Sequence, residues 1–175
     1  MKANTTASSA EKIAYCGIFT ALALILSYLE SLIPVSALLH IPGLKLGLAN
    51  ICITYVFFRY GKIDAFLVSL LRIIISSVLF GTPVSFLYSL FGGLFAFCFL
   101  MATELFFKNK LSMLGISVGC AFFHNIGQLC IFALIFSDLT LFSYLIYLIP
   151  CSLVTGCITG IILLYLQNRT EKHNG

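Results

Sequence analysis

The chain has 175 residues, of which 61% are hydrophobic and only 9% are charged, and its mean hydropathy is +1.09. A soluble domain carries about a quarter charged residues, so this composition excludes a water-soluble globular domain and indicates an integral membrane protein. The length suits one compact bundle without a soluble catalytic module. The net charge of +4 bears on orientation in the membrane, and we expect no nucleic-acid partner.

The first predicted helix follows a polar stretch at residues 1–8. Ser8 and Glu11 have the spacing of a capping box, and the apolar run over 13–33 is long enough to cross a bilayer. No A-x-A cleavage site follows the run, which is too long for a signal-peptide core, so we interpret it as a helix. Pro34 then begins a loop that carries His40.

Five further helices are predicted from the apolar pattern, over 46–60, 63–79, 84–107, 111–136 and 150–167. The second of the six helices is short for a full span. Pro150 leaves two alternatives for the sixth: it either kinks a long helix that begins at Leu139, or it lies in the first helical turn. We favour the first turn, which leaves 139–149 as an interfacial lid segment.

Eight of the ten basic residues fall on one side of this arrangement, at Lys2, Lys12, Arg59, Lys62, Lys108, Lys110, Arg169 and Lys172. By the positive-inside rule that side is cytoplasmic. We therefore predict an all-α integral membrane protein of the bacterial cytoplasmic membrane, a compact bundle of six transmembrane helices with both termini cytoplasmic. One transmembrane domain over 9–168 lies between polar tails at 1–8 and 169–175. The two basic residues outside the pattern, Lys45 and Arg72, are candidates for function.

Polar residues from five helices gather in the outer half of the predicted bundle, namely Glu30, Lys45, Asn50, Arg72, Ser85, Tyr88, His124, Asn125 and Gln128. Lipid disfavours such groups, so we expect them to face inward. Two overlapping interpretations stay open: an internal network in which Glu30 neutralises Arg72, and an outward-opening pocket for a small polar or amphiphilic ligand. Glu104 lies near the inner end, four residues before Lys108, and we expect those two to form a surface pair.

Small residues recur at spacings of four and three along the first helix, at Ala10, Ala14, Gly17 and Ala21. Such a face allows close approach of another helix backbone. It is either internal packing or, because it begins at the cytoplasmic rim, a docking surface for a partner.

No motif for catalysis or metal binding stands out, and we predict no catalytic residue, metal or cofactor. Cys120 and His124 share a helix face, but no third or fourth ligand stands at a suitable spacing. The seven cysteines fit small buried hydrophobes. The two aspartates, Asp64 and Asp138, are far apart in the sequence.

Five strings, "LESLIP", "PGLKLGLANI", "SLLRIIISSVLFG", "SFLYSLFGG" and "GISVGCAFFHNIGQL", occur in that order. They resemble the Gx transporter family, also called heptaprenyl diphosphate synthase component I, and that family is similar to the substrate-binding components of energy-coupling-factor transporters. The resemblance implies a six-helix protein that binds a vitamin-like substrate from outside and docks on a transmembrane coupling subunit driven by two ATPases. Ala10-x-x-x-Ala14 and Gly17-x-x-x-Ala21 would form the docking face, as a loose match to the bare A-x-x-x-A motif.

The resemblance leads us to expect uptake of a small vitamin-like or isoprenoid- or quinone-related compound from outside, by a protein whose other surroundings are the lipid bilayer. Arg72 and Lys45 would hold an anionic or carbonyl-bearing group, and Glu30 would balance the charge. Prenyl diphosphate synthases hold magnesium through D-D-x-x-D motifs, which the chain lacks, so we expect no enzyme. Two alternatives remain: a membrane subunit of a quinone-linked electron-transfer complex, and accessory component I of a heptaprenyl diphosphate synthase.

Overall fold

The computed structural model describes residues 9–32, 45–107, 111–137 and 143–173. These residues contain six α-helices and no strand: α1 Ser9–Leu32, α2 Asn50–Arg59, α3 Lys62–Phe80, α4 Pro83–Phe107, α5 Met113–Phe136 and α6 Leu145–His173. The predicted all-α architecture is confirmed for this part of the chain. The expected capping box at Ser8 and the loop that carries His40 lie outside the described residues.

Five of these helices, α1, α3, α4, α5 and α6, are long and apolar enough to cross a membrane. The chain is therefore a multi-pass membrane protein. The remaining helix, α2, has ten residues and is about 15 Å long at 1.5 Å per residue, which is half of a typical hydrocarbon core. Six full spans, cytoplasmic termini and the bacterial cytoplasmic membrane stay predictions.

The short helix α2 lies at the centre of the bundle and packs against each of the other five described helices. Seven of its ten residues are buried. Its sequence, NICITYVFFR, is rich in β-branched and aromatic residues, which have modest helix propensity. Burial against the surrounding helices therefore stabilises α2 more than its own propensity does.

The outer helices follow one another around α2 in the order α1, α3, α4, α5, α6. In the described part of the chain, α1 packs on α2 and α3, and no Cα atom of α1 comes within 8 Å of α6. Helices α4 and α5 approach closely at Gly127, where an added Cβ would lie 2.5 Å from the carbonyl oxygen of Phe91. Among the described residues, the ring of helices is thus tightly packed along α4 to α6, and α6 and α1 do not pack against each other.

A turn at Gly47 carries the chain into α2 from the middle of the bundle. Gly47 has φ = 85°, which side chains rarely allow. A Cβ there would also lie 2.9 Å from Nδ2 of Asn50 and 3.1 Å from Cδ2 of His124. The Asn50 N–H donates to the Gly47 carbonyl at 3.0 Å and closes the turn. Both the backbone angle and the space therefore require glycine between Lys45 and α2.

The start of α6 corrects the interpretation of Pro150. The helix begins at Leu145 and contains Pro150 in its second turn, so Pro150 is not in the first turn, and 145–149 belong to α6 rather than to a lid. Because proline has no N–H, the carbonyl of Ile146 lacks its usual helical hydrogen bond. The helix nevertheless continues on both sides of Pro150, where the sequence is apolar. Residues 139–142 lie outside the described part, and α6 continues past 167 to His173.

Candidate functional site

Three charged side chains are buried among the described residues: Glu30 from α1, Lys45 just ahead of α2, and Arg72 from α3. Arg72 is only 1% exposed. The three groups lie close enough to interact electrostatically. A charge inside a membrane bundle is costly unless it has a partner or a cavity, so their gathering at one place marks the candidate site.

Gln128 of α5 pairs with the peptide groups on both sides of Lys45. The Lys45 N–H donates to Oε1 of Gln128 at 3.0 Å, and Nε2 of Gln128 donates to the Lys45 carbonyl oxygen at 3.1 Å. The Lys45 ammonium donates to Oγ of Ser89 on α4 at 3.0 Å. The segment that leads into α2 is therefore tied to α5 by its backbone and to α4 by its side chain.

Glu30 attaches the same segment to α1. Its Oε1 accepts from the Leu48 N–H at 2.9 Å, while its Oε2 has no hydrogen-bond partner. The N-cap residue of α2, Ala49, offers no side-chain cap. The first N–H groups of the helix donate instead to the carbonyl oxygens of the preceding turn, those of Gly47, Leu48 and Ala49. Leu48 lies ahead of this N-cap, so the carboxylate of Glu30 holds the turn that leads into α2. It is also favourably placed against the positive end of the α2 dipole.

Arg72 is buried with most of its donors unpaired. Its Nη1 donates to Oγ of Ser27 at the long distance of 3.5 Å, and Nε and Nη2 have no partner. Gly93 of α4 lies beside it, since a Cβ added there would be 3.9 Å from Nη2 and 3.6 Å from Oγ of Ser69. The guanidinium therefore occupies a polar space between α1, α3 and α4.

The direct ion pair that the sequence suggested between Arg72 and Glu30 is not formed. Within the described ranges, the salt bridge below 4.0 Å joins Lys62 to Glu104 at 3.0 Å. Glu30 instead accepts from the Leu48 N–H, and Glu104 pairs with Lys62. The predicted pair of Glu104 with Lys108 stays a prediction, because Lys108 lies outside those ranges. Packing brings the start of α3 next to the end of α4, and sequence spacing along one helix does not reveal that.

His124 and Asn125 extend the cluster along α5. Nε2 of His124 is hydrogen-bonded to Nε2 of Gln128, and because the amide nitrogen is a donor, the histidine nitrogen accepts. His124 is then neutral with its proton on Nδ1, the nitrogen that faces Gly92. Asn125 donates to Oγ of Ser152 on α6 at 2.9 Å. These bonds join α5 to α6 and, through Gln128, to the segment ahead of α2.

All nine residues predicted for the site are buried, namely Glu30, Lys45, Asn50, Arg72, Ser85, Tyr88, His124, Asn125 and Gln128. The structure brings the charged three together with Gln128 and His124. Ser85 donates its N–H to Oγ1 of Thr82 at the start of α4, and Tyr88 packs among apolar residues with its ring centroid 6.1 Å from that of Phe132. In the described part no hydrogen bond joins Ser85 or Tyr88 to the charged three.

Asn50 lies on another side of the cluster. Its buried Nδ2 has no hydrogen-bond partner, and the residue lines a cavity of about 10 Å³ between α2, α5 and α6, which is space for about one water molecule.

Sequence reasoning missed two members of the cluster, Ser27 and Ser89. Each lies one helical turn from a predicted residue, Ser27 before Glu30 and Ser89 after Ser85, so helical periodicity would have found them.

The small-residue face of α1 is directed away from the bundle. Ala10, Ala14, Gly17 and Ala21 are all exposed, and nothing lies within 4 Å of a Cβ added at Gly17. Internal packing among the described residues therefore does not explain these small side chains.

The helices and their buried charges define a multi-pass, all-helical membrane protein with a closed polar cluster around its central short helix. Within that class, the chain belongs to the family of heptaprenyl diphosphate synthase component I, whose sequence model matches residues 19–166. The family indicated by the sequence strings is thereby confirmed, and the match contains the whole cluster. No curated protein and no solved structure matches the chain.

Proposed function

We propose that the protein is the membrane-embedded substrate-binding component of an energy-coupling-factor-like transporter. It would take up a small vitamin-like or isoprenoid- or quinone-related compound. The observation that carries this proposal is the buried cluster at the N-terminal end of α2, where the guanidinium of Arg72 keeps two donors without a partner. Polar groups that converge inside an otherwise apolar bundle are typical of a small-molecule site.

The arrangement of the acidic side chains favours binding without chemistry. Glu30 uses one oxygen to hold the Leu48 N–H, and Glu104 is paired with Lys62 on the protein surface. Diphosphate chemistry with magnesium needs several carboxylates in one place, and the carboxylates of Glu30 and Glu104 serve other contacts. We therefore propose a protein without catalytic residues or a cofactor of its own.

The exposed face of α1 would be the contact with a transmembrane coupling subunit driven by ATPases. Its small residues, Ala10, Ala14, Gly17 and Ala21, leave the α1 backbone accessible, and helices in membranes associate through such faces by close packing.

The name of the family favours a second candidate function, an accessory component of a heptaprenyl diphosphate synthase. That role would also place the protein in a complex, but with a prenyltransferase in place of a coupling subunit. The identity of the proteins that bind this chain therefore separates the two candidates.

The deciding experiment is affinity purification of the tagged full chain from membranes of its own organism, followed by mass spectrometry of the bound proteins. We expect a transmembrane subunit together with ATPases. Gly17→Leu should lose them, because the new side chain covers the exposed face. Cys98→Leu is the matched control, since Cys98 is an exposed small residue on α4, and it should retain them. Recovery of a prenyltransferase subunit instead would contradict the transporter proposal and support the second candidate.

A further inference from the structure

The free edge of the Arg72 guanidinium has the shape that recognises a carboxylate. Nε and Nη2 project from the same side of the planar group and match the two oxygens of a carboxylate in a bidentate pair. Both nitrogens are buried and without a partner, whereas Nη1 on the other side approaches Ser27. Leaving buried charged donors unpaired is costly, so this edge is suited to a ligand.

The charge balance of the cluster limits the charge of that ligand. Arg72 and Lys45 are positive and Glu30 is negative, and these are the charged residues that are buried in the described part of the chain. His124 is neutral in the hydrogen-bonded arrangement with Gln128. The cluster thus has an excess of one positive charge, to which the N-terminal end of α2 adds a partial positive charge. One negative charge neutralises it, whereas a doubly charged phosphate would leave a buried negative excess.

The surroundings of Arg72 explain why the protein itself does not supply that negative charge. Oε1 of Glu30 accepts from the Leu48 N–H, and Glu30 forms no direct salt bridge with Arg72 among the described residues. On α3, the buried neighbours of Arg72 are uncharged, namely Val68, Ser69, Ile73 and Ser76. On α4, the adjacent residue is Gly93, which has no side chain to offer. The positive edge therefore faces uncharged groups, and the Ile73 side chain also lies there, with its Cδ1 3.0 Å from a Cβ added at Gly93.

We propose that the Nε–Nη2 edge of Arg72 binds the carboxylate of a monoanionic ligand, beside Gly93 between α3 and α4. This assignment rests on the proposed function and deepens it by naming the chemical class of the substrate, a monocarboxylic acid. Lys45 contributes positive charge at the site, but its ammonium already donates to Ser89. Arg72 therefore determines which ligand group is recognised.

The test uses the purified full chain in lipid nanodiscs and small probes in place of the natural compound. The unfolding temperature is measured in acetate, in chloride, in inorganic phosphate and in chloride with added acetamide, at equal ionic strength. We expect acetate to raise the unfolding temperature above the chloride value and acetamide, which lacks the charge, to leave it unchanged. Equal values in acetate and chloride would overturn the proposal. A larger effect of phosphate than of acetate would also overturn it, in favour of a phosphate-bearing ligand.

Two variants assign the effect to Arg72. Arg72→Lys keeps the charge but not the planar pair of donors, so acetate should bind about tenfold more weakly or worse. Arg59→Lys makes the same change at the far end of α2 and should respond to acetate as the wild type does. Acetate binding that is unchanged in Arg72→Lys would overturn the proposal. The acetate comparison in the wild-type chain stands even if Arg72→Lys folds poorly.

The outcome separates this inference from the transporter proposal. If the acetate effect depends on Arg72 but the chain binds no coupling subunit, the carboxylate site is supported and the transporter proposal is contradicted. If the chain binds a coupling subunit but its unfolding temperature is the same in acetate and chloride, the transporter proposal is supported and the carboxylate site is contradicted.

Discussion

Replacing Gln128 by leucine tests how the segment ahead of α2 is held. The side chain of Gln128 bonds both the N–H and the carbonyl of Lys45, at 3.0 and 3.1 Å, and also contacts His124. Leucine has a similar volume and no polar atom. The substitution therefore removes the partners of two buried backbone groups without creating a large cavity.

The magnitude follows from what the two backbone groups lose. Each buried polar group left without a partner costs about 1–3 kcal/mol, which gives about 2–6 kcal/mol for the pair if the segment stays in place. Hydrogen bonds between side chains of neighbouring membrane helices contribute about 0.6 kcal/mol on average. Gln128 should exceed that average because Lys45 lies outside α2, where no helical bond can replace the lost ones. We expect Gln128→Leu to lower the free energy of unfolding by at least about 2 kcal/mol.

The assay is reversible unfolding of the purified chain in mixed detergent micelles, with Asn125→Leu as the matched control. Asn125 is an equally buried amide on the same helix, but it donates to the side chain of Ser152. Gln128→Leu should therefore destabilise the fold more than Asn125→Leu does. It should also speed hydrogen exchange at the Lys45 N–H. A loss of stability for Gln128→Leu that is equal to or smaller than that of Asn125→Leu would refute the reasoning.

Three further predictions follow from the same contacts. Gly47→Ala should lower the unfolding temperature more than Gly61→Ala does. Both glycines have positive φ, but an added Cβ has a neighbour within 4 Å at Gly47 and none at Gly61. Equal shifts of the unfolding temperature would contradict the close packing at Gly47. Glu30→Leu should destabilise the fold more than Glu30→Gln does in the same unfolding assay, because glutamine retains an oxygen for the Leu48 N–H. Identical losses of unfolding free energy in the two variants would mean that this hydrogen bond contributes little. Reporter fusions at residues 110 and 138 should give opposite sides of the membrane, because α5 runs between them over Met113–Phe136 and is long enough to cross; the same side for both would contradict a spanning α5.

The helices and the burial of the polar residues could be predicted from the sequence, because both depend on hydropathy along the chain. Lipid disfavours a group such as Arg72 or Gln128 on the outer surface, so their inward orientation follows without knowledge of their neighbours. The same reasoning identified Lys45 and Arg72 as exceptions to the charge pattern.

The partners of these groups could not be predicted in the same way. Gln128 binds the backbone of Lys45, which is 83 residues away in the chain, and a backbone group carries no residue-specific signal. Glu30 binds the Leu48 N–H instead of Arg72 because the turn ahead of α2 lies beside it in the bundle. The predicted start of α6 was wrong because it was placed at Pro150. A proline is tolerated near the start of a helix, so it locates the first residue only to within a turn or two.

The central claim is that the buried cluster around Arg72 is a ligand site, and native mass spectrometry of the full chain released from nanodiscs tests it most directly. The wild type and the Arg59→Lys control should carry one small molecule of constant mass, and Arg72→Lys should have lost it while its lipid adducts stay the same. A wild-type chain that carries no molecule beyond lipid, or an Arg72→Lys variant that keeps the same molecule at the same occupancy, would contradict the claim.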